Sequence, residues 1–395
     1  MRFFDIGNGL SYFNDGLNKE MIHRISKSCY LPANNLLLKL IQKHPGIRIN
    51  FSISGVALDQ FMESAPEVID SFRALAETGS VEFLGETYYH SLACLVPGHE
   101  MEIQALKHAE LIEKLFGKRP QVFRNTELIY NDEVGKRIAA LGFKGIFTDG
   151  VQKILSNNKS VNQLYHHPED HGLKIFLRNF LLSDDIAFRF SHHTNPLTAD
   201  TYISWLNDFP AYDRIVNIAM DYETFGEHHK KESGIFNFMK KLFDLLGRSA
   251  GHKLHTASEA VDRITPFGKL SAPQYVSWAD RERDLSAWIG NDMQKDALAS
   301  LIKLEKTAKA SGDPNILRIW RSLQTSDHFY YMSTKKGTDG TVHNYFSPFP
   351  SPYEAFINYM NVLTDFTLAL KHQQKTLRST SKIIANSSAV EAVNI

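Results

Sequence analysis

The chain has 395 residues, enough for one large α/β domain and a smaller one. Lys plus Arg and Asp plus Glu number 44 each, so no net charge favours nucleic acid or an acidic membrane surface as a partner. Two cysteines, Cys29 and Cys94, are too few for a disulfide framework or a structural zinc site. No apolar window is long enough to span a membrane and no signal-peptide pattern is found, so we expect a cytoplasmic protein.

Short apolar runs alternate with amphipathic segments over the first 250 residues. The predicted strands are 47–54, 81–84, 121–124, 145–148, 173–177 and 214–219. The predicted helices are 34–44, 66–78, 100–116, 132–141, 198–206 and 234–246. This alternation predicts parallel strands joined by crossover helices. It yields six strands, whereas the commonest complete barrel has eight.

The pattern changes at about residue 273, after which no strand is predicted. Three helices, 291–310, 314–323 and 352–371, indicate a helical C-terminal region. The last twenty residues are rich in Ser, Thr and Asn and predict a disordered tail.

Two carboxylates follow predicted strands directly. The sequence Asp-Tyr-Glu-Thr-Phe-Gly-Glu-His at 221–228 follows strand 214–219, and Glu127 follows strand 121–124. Because the carboxyl ends of parallel strands lie on one face, we expect Asp221 and Glu127 to share that face. Such a pair suits acid/base work on a neutral, hydroxyl-rich substrate, one member ionised and the other protonated. Cleavage of a glycosidic bond with retention requires a separation of about 5–5.5 Å.

Simpler interpretations of the two carboxylates stay open. The first stretch could be a solvated turn, and Glu127 could cap the helix that starts near Asn131.

Three further segments combine aromatic and charged residues, namely 79–90, which contains His90, 278–288 and 324–331. Aromatic faces beside carboxylates suit sugars, whose C–H faces stack while their hydroxyls hydrogen-bond. A structural histidine, a salt-bridged surface and an aromatic core are the alternatives.

Two histidine pairs raise the question of a metal. Neighbouring side chains point apart in a strand and lie about 100° apart in a helix, so neither pair is a ready chelate. We therefore expect no metal and no cofactor. The pairs are His192 with His193, and His228 with His229.

Taken together, these segments resemble glycoside hydrolase family 57, which contains α-amylases, 4-α-glucanotransferases and branching enzymes. The resemblance extends to about residue 371 and implies an incomplete (β/α)7 TIM-like barrel followed by a helical C-terminal region. The implied boundaries are 1–270 for the barrel, 271–375 for the helical region that completes the active site, and 376–395 for the tail.

The resemblance also implies roles for individual residues. Asp-x-Glu-x-Phe-Gly resembles the family's acid/base segment, which places that role on Asp221. Asn-Thr-Glu-Leu at 125–128 resembles the nucleophile segment, which places that role on Glu127. Residues 178–188 are similar to the family's Arg…Leu-Ser-Asp-x-Ile-x-Phe segment. The implied substrate contacts are Glu82, His90, Glu223 and Asp327.

One family feature is missing. The His-Gln-Pro-like segment of the family's first strand does not occur in this sequence. We therefore expect the first strand of the barrel to be lacking and the chain to be poorly active or unstable, because an unpaired edge exposes the core.

The resemblance implies a retaining α-amylase that cleaves α-1,4-glucosidic bonds in starch, glycogen or maltooligosaccharides. The fuller motif at 221–228 followed by Gly-Ile-Phe at 234–236 resembles the α-amylase branch. Alternatives are a 4-α-glucanotransferase, a metal-dependent polysaccharide deacetylase on a related barrel, and a glucan-binding amylase-like protein with weak or no turnover. The sequence does not determine the oligomeric state.

Overall fold

The computed structural model describes residues 9–155, 159–191 and 196–391, with side chains to residue 374. It contains two compact units. The larger runs from Asp15 to Leu285, and the smaller contains the residues from Ser286 onward together with the described residues before Asp15.

Strands and helices alternate along most of the larger unit. Its strands are β1 (Ile49–Phe51), β2 (Val81–Phe83), β3 (Val122–Arg124), β4 (Gly145–Asp149), β5 (Tyr165–His166), β6 (Lys174–Arg178) and β7 (Gly268–Lys269). Its helices are α1 (Asp15–Ile25), α2 (Leu31–Lys43), α3 (Gly55–Ser64), α4 (Pro66–Glu77), α5 (Glu100–Phe116), α6 (Asp132–Ala140), α7 (Phe180–Ala187), α8 (Ala199–Asn207), α9 (Ile235–Arg248) and α10 (Ala257–Arg263). A π-helical turn, Ser26–Tyr30, joins α1 to α2.

The long strands follow one another in space as they do in sequence. β1 pairs in parallel with β2, and β3, β4 and β6 form a second parallel array. A bridge between Gly85 and Phe123 connects the end of β2 to β3. Glycine is required at this bridge, since a Cβ on Gly85 would lie 2.6 Å from the ring of Phe143. The predicted succession of parallel strands is therefore present in β1, β2, β3, β4 and β6, whereas β5 pairs antiparallel with β6.

Two features of the sheets differ from the prediction. β5 and β7 have two residues each, too short for a recognisable period, and were not predicted. The expected strand at 214–219 is reduced to a single bridge between Asn217 and Arg178. The reason is that two side chains bind the backbone of Ala219. Arg178 Nε donates to its carbonyl at 2.7 Å, and Ser183 Oγ accepts from its N–H at 3.1 Å. These contacts replace the ladder that a neighbouring strand would supply.

The mixed α/β content is confirmed, whereas the closed barrel stays a prediction. Among the described residues, the sheets are the pair β1-β2 and the array β3-β4-β6-β5-β7. They do not display a closed (β/α)7 barrel.

The two faces of β1 and β2 carry different side chains. Phe51 and Phe83 pack on one face against Phe72 of α4, with ring centroids 5.2 and 6.1 Å apart. Asn50 and Glu82, which are paired across the two strands, point to the other face. This alternation of buried rings and polar groups is the period of two expected of a strand.

The smaller unit is helical, as predicted for the C-terminal region. Its helices are α11 (Ser286–Ile289), α12 (Asp292–Lys303), α13 (Glu305–Ala310), α14 (Pro314–Ser322), α15 (Ser326–Tyr330), α16 (Gly337–Phe346) and α17 (Pro352–Glu391). A disordered tail was predicted from residue 376, but the backbone of α17 continues to Glu391, and residues 392–395 lie outside the described part. No Gly or Pro follows Pro352, so nothing in the composition ends the helix.

The division between the units also differs from the boundary expected at residue 270. Tyr130 and Val276 exchange backbone hydrogen bonds of 2.9 and 2.8 Å, which tie the segment after β7 to the larger unit. The larger unit therefore extends to Leu285.

Candidate active site

Glu127 lies on a strained turn directly after β3. Glu127 and Leu128 have φ values of +58° and +53°, which non-glycine residues rarely adopt. Local hydrogen bonds hold this turn, including Asn125 Nδ2 to the carbonyl of Ile129 at 2.9 Å. Each such residue costs about 1–3 kcal/mol and persists only where the surroundings enforce it, often at functional sites. The cap of α6 is the side chain of Asn131, so the simpler interpretation of Glu127 as a helix cap is wrong.

Both carboxylate oxygens of Glu127 accept hydrogen bonds. His90 Nε2 donates to Oε1 at 3.0 Å, and Trp278 Nε1 donates to Oε2 at 2.7 Å. The backbone N–H of Trp278 also donates to the Glu127 carbonyl at 3.2 Å. Trp278 comes from the loop before Leu285, about 150 residues away in sequence, and belonged to an aromatic segment noted above without an assigned role.

His90 links Glu127 to a second carboxylate, Glu86. His90 Nδ1 lies 2.8 Å from Glu86 Oε1, and the other carboxylate oxygen of Glu86 accepts a hydrogen bond from Ser52 Oγ at 2.6 Å. Because both ring nitrogens face carboxylates, both carry protons and the ring is cationic. Contact with sugar was predicted for His90, but its two N–H groups are directed at Glu86 and Glu127 instead.

The charges in this cluster support one another. Burial alone would raise the pKa of Glu127, but the hydrogen bond and charge of His90, with smaller effects of Arg124 and Trp278, lower it. Burial likewise opposes the charge on His90, but the two carboxylates raise its pKa well above the usual value. The pKa of Glu86, whose side chain is 2% exposed, falls to about 2 because His90 and Arg124 outweigh its burial. Glu127 is therefore held as an anion.

Asp221 has the opposite electrostatic environment. Its side chain remains accessible to solvent, but the surrounding protein desolvates it. Desolvation and the nearby carboxylate of Glu223 raise its pKa to about 6, with a further contribution from Glu127. Arg124 and His228 act in the other direction and do not cancel the effect. Asp221 therefore keeps its proton at a pH where Glu127 has lost its own.

Arg124, at the end of β3, acts on all three carboxylates. Its charge lowers the pKa values of Glu86, Glu127 and Asp221, and its Nη1 lies 3.8 Å from Glu86 Oε2. Its guanidinium carbon also lies 4.8 Å from the centroid of the Trp278 ring. Sequence reasoning treated Arg124 only as a strand residue, although its place three residues before Glu127 on the same strand end was a usable signal.

A buried ion network holds the backbone that leads to Asp221. Arg178, whose side chain is 4% exposed, contacts Asp149 at 3.2 Å and Asp184 at 2.5 Å while its Nε binds the Ala219 carbonyl. Arg283 contacts the same two aspartates. Burial of Asp149 is strong enough to raise its pKa despite these two cations. The network fixes the chain two residues before Asp221.

Two predicted substrate contacts have other partners. Glu82 lies inside β2 and accepts hydrogen bonds from the backbone N–H of Ser258 at 2.8 Å and from its hydroxyl at 2.6 Å. Glu82 therefore binds the first turn of α10. Glu86, which lies beyond the end of β2, is the glutamate of this segment that contacts His90. Glu223 Oε1 accepts a hydrogen bond from the hydroxyl of Tyr30.

The remaining predicted contact, Asp327, lies in α15 of the smaller unit. Its role stays a prediction.

The histidine pairs do not assemble a metal site in the part of the chain that is described. His229 Nε2 donates to the Ala187 carbonyl at 2.9 Å, while His192 and His193 lie outside the described residues. No group of three or more His, Cys, Asp or Glu side chains with metal-binding geometry occurs among the residues described.

Among the described residues, no helix has the length and apolar character that a membrane span requires.

Comparison with known proteins identifies the family. The family model described as glycosyl hydrolase family 57 matches residues 6–273. The chain belongs to glycosyl hydrolase family 57. The resemblance seen in the motifs is thus confirmed, and with it the assignment of this family 57 protein to the glycosidases.

Curated relatives of this family 57 chain include proteins named as an amylase and as a glucanotransferase. A Methanocaldococcus jannaschii protein named "Putative alpha-amylase" is 42% identical over 92% of this chain and 80% of its own length. A "4-alpha-glucanotransferase" of Thermococcus litoralis is 21% identical over 63% of this chain. This chain spans only 38% of that second relative.

A solved structure of the family has a similar fold. The crystal structure of a "GH57-type branching enzyme" from Pyrococcus horikoshii matches with a TM-score of 0.66 and 15% identity, over 91% of this chain and 86% of that one. At this identity the likeness concerns the fold alone.

Proposed function

We propose that this chain is a retaining α-glucan hydrolase of family 57 that cleaves α-1,4-glucosidic bonds. The family and the names of the relatives support a glucan-active glycosidase. This proposal rests on two neighbouring carboxyl groups with opposite shifts: His90 lowers the pKa of Glu127 despite its burial, whereas desolvation and Glu223 raise the pKa of Asp221. Two carboxyl groups whose environments separate their pKa values are the requirement for a nucleophile and an acid in one site.

In the first half of the proposed reaction, Glu127 attacks the anomeric carbon while Asp221 protonates the oxygen of the leaving glucan. The C–O bond to the leaving group breaks, and an ester forms between the sugar and Glu127. His90 and Trp278, which donate to the two oxygens of Glu127, keep the nucleophile ionised and fix its orientation.

In the second half, the ionised Asp221 takes a proton from water, and the water oxygen attacks the anomeric carbon. The ester bond to Glu127 breaks, so the carboxylate is regenerated and the product keeps the α configuration. Arg124, whose charge acts on both carboxyl groups, stabilises whichever of them is ionised, Glu127 before the attack and Asp221 while the ester exists.

The test is incubation of the purified chain with maltoheptaose, with products separated by size. Hydrolysis predicts shorter oligosaccharides and a rise in reducing ends, and Glu127→Ala and Asp221→Ala should each reduce the rate more than 1,000-fold, an order set by loss of a group that acts in every turnover. Wild-type turnover in either variant would refute the assignment.

The same experiment decides between water and sugar as acceptor. Products longer than maltoheptaose, without a rise in reducing ends, would mean transfer to a sugar hydroxyl, as the name of the Thermococcus litoralis relative describes. Binding of maltoheptaose without any product would mean a glucan-binding protein.

A further inference from the structure

The loop that carries Asp221, which we call the acid loop (residues 221–227), is anchored to the start of the larger unit. Five of its hydrogen bonds reach the segment 24–34, which contains the π turn Ser26–Tyr30. The hydrogen bonds are Tyr30 to Glu223, Tyr222 Oη to Asn34 Oδ1 at 2.6 Å, Cys29 Sγ to the Tyr222 carbonyl at 3.3 Å, Ser28 Oγ to Glu227 Oε2 at 3.2 Å, and Arg24 to Glu227. None of this was visible in the sequence, where the segment lies about 190 residues from Asp221.

The backbones of the acid loop and the π turn approach very closely. Gly226 has a φ of +115°, and a Cβ at this position would lie 2.0 Å from the carbonyl oxygen of Ser28. Only glycine permits both the backbone conformation and the distance. Ser28 belongs to the π turn, a feature often found at functional sites.

Among the residues of segment 24–34, Tyr30 is the one that hydrogen-bonds to Glu223, a carboxylate that acts on Asp221. Its ring is 9% exposed, meets Phe61 edge-on at 5.1 Å and stacks on Tyr222 at 6.2 Å, so its hydroxyl has a fixed position. That hydroxyl donates to Glu223, whose charge is the largest electrostatic influence on Asp221 after desolvation. Tyr30 therefore contacts one of the groups that raise the pKa of the proposed acid.

The groups that face the two carboxylates come from several elements. Asp221 is influenced by Glu223 and His228 of its own loop region, and by Arg124 and Glu127 at the end of β3. Glu223 faces the hydroxyl of Tyr30 and the thiol of Cys29, whose pKa burial raises so that it stays neutral. The hydrogen bond from Tyr30 is thus the contact on Glu223 that a single conservative substitution can remove.

We propose that Tyr30 is a positioning residue that, through Glu223, holds the acid loop so that Asp221 is placed for proton transfer. The inference rests on the proposed function, and it replaces the sugar contact predicted for Glu223 by an internal role. Tyr30 itself touches neither substrate nor the reacting atoms in this account.

The first test is Tyr30→Phe, which keeps the ring and removes one donor. Glu223 is then free to turn away from Asp221, so its field weakens and the pKa of Asp221 falls. The basic limb of the kcat/KM profile should move to lower pH by about half a unit to one unit, and kcat should fall about 10-fold, the order expected for one hydrogen bond to a charged group. KM should change less than kcat, since the substrate does not touch Tyr30.

Two comparisons separate this effect from a general loss of stability. Tyr88→Phe removes a matched hydrogen bond, 2.8 Å from Tyr88 to Asp59, and should leave the basic limb in place. Glu223→Gln should reproduce the shift, and the double variant Tyr30→Phe with Glu223→Gln should add nothing further, because both changes act through one contact. A wild-type pH profile in Tyr30→Phe, or an additive double variant, would overturn the proposal.

The pKa of Asp221 can also be measured without any substrate. Titration of protein labelled with ¹³C at the aspartate carboxyls, assigned by Asp221→Asn, should give a lower pKa in Tyr30→Phe than in the wild type. An unchanged value would overturn the inference whether or not the chain cleaves glucans. Failure of Glu127→Ala to affect turnover would instead overturn the proposed function alone.

Discussion

Trp278 Nε1 lies 2.7 Å from Glu127 Oε2, and the backbone N–H of the same tryptophan donates to the carbonyl of the same glutamate. One residue thus fixes both the side chain and the main chain of the proposed nucleophile. The Trp278 ring also lies under the guanidinium groups of Arg124 and Arg178, at 4.8 and 5.4 Å.

Trp278→Phe should weaken catalysis and move the acidic limb of the pH profile upward. Phenylalanine keeps an aromatic face for the two arginines but removes the donor that favours ionised Glu127, so the pKa of Glu127 rises. We expect kcat/KM to fall about 10- to 100-fold, the equivalent of about 1.5–3 kcal/mol for a hydrogen bond to a charged group. Steady-state kinetics on maltoheptaose across pH would measure both effects.

Trp288→Phe is the matched control. Trp288 is fully buried, and its indole N–H has no hydrogen-bond partner among the described residues. This control should change stability but leave the acidic limb unmoved. Equal shifts in the two variants would contradict a specific role for Trp278.

Activity should decline above about pH 6. Asp221 must carry a proton to act as the acid, and its pKa is raised to about 6, so kcat/KM should fall as the pH rises through that value. The pKa of Glu127 is lowered from the ordinary value of 4.5, so the acidic limb of the profile should lie below pH 4.5. Asp70→Asn, which alters an exposed ion pair with Arg73, should leave both limbs unchanged. A profile that is flat between pH 5 and 8 would be inconsistent with Asp221 as the acid.

The succession of parallel strands and the two strand-end carboxylates were predictable because each depends on local pattern. A buried strand shows its period in a few residues, and parallel strands place their carboxyl ends together. The structure accordingly brings Glu127 close enough to Asp221 for its charge to act there. Arg124 shows the limit of the same reasoning. The sequence identifies it only as a strand residue, and its influence on the three carboxylates is evident only from its neighbours in the structure.

Other parts of the site depend on tertiary contacts that leave no local signal. Glu82 and Glu86 lie four residues apart, and choosing between them requires the exact end of β2, which the sequence pattern does not define. Trp278 and Tyr30 reach the site from segments about 150 and 190 residues distant in sequence. No period or motif connects them with Glu127 or Glu223.

Glu86→Gln should destabilise the larger unit in a pH-dependent manner. The folded pKa of Glu86, about 2, lies below its ordinary value of 4.5, so its ionised form stabilises the fold above pH 4.5. This contribution is lost as the pH falls from 4.5 toward 2. At pH 7 we expect a loss of about 3 kcal/mol, because His90 and Ser52 lose a buried charged partner.

Urea unfolding at a series of pH values would measure this difference. The gap between wild type and Glu86→Gln should narrow as the pH falls below 4.5. Glu113→Gln, which alters an exposed ion pair with Arg119, should show no such narrowing. A gap that is constant from pH 7 to pH 3 would contradict the assigned charge state of Glu86.

Arg178→Lys should lower both stability and activity. A lysine cannot contact Asp149, Asp184 and the Ala219 carbonyl at once, so the buried aspartates lose one of their two cationic partners and the chain before Asp221 loses its anchor. We expect a cost of about 3–5 kcal/mol in the free energy of unfolding. Arg189→Lys, at the exposed pair with Asp185, should cost less than 1 kcal/mol. Similar costs for the two variants in chemical denaturation would argue against the network.

The most direct test of the account is to trap the covalent intermediate. A fluorinated maltosyl fluoride that forms the glycosyl ester quickly and hydrolyses slowly should label the protein once, and peptide mass spectrometry should locate the label on Glu127. Removal of the reagent should then release the sugar as the α anomer, as seen by proton nuclear magnetic resonance. A label on another carboxylate, or release of the β anomer as the first product, would contradict double displacement through Glu127.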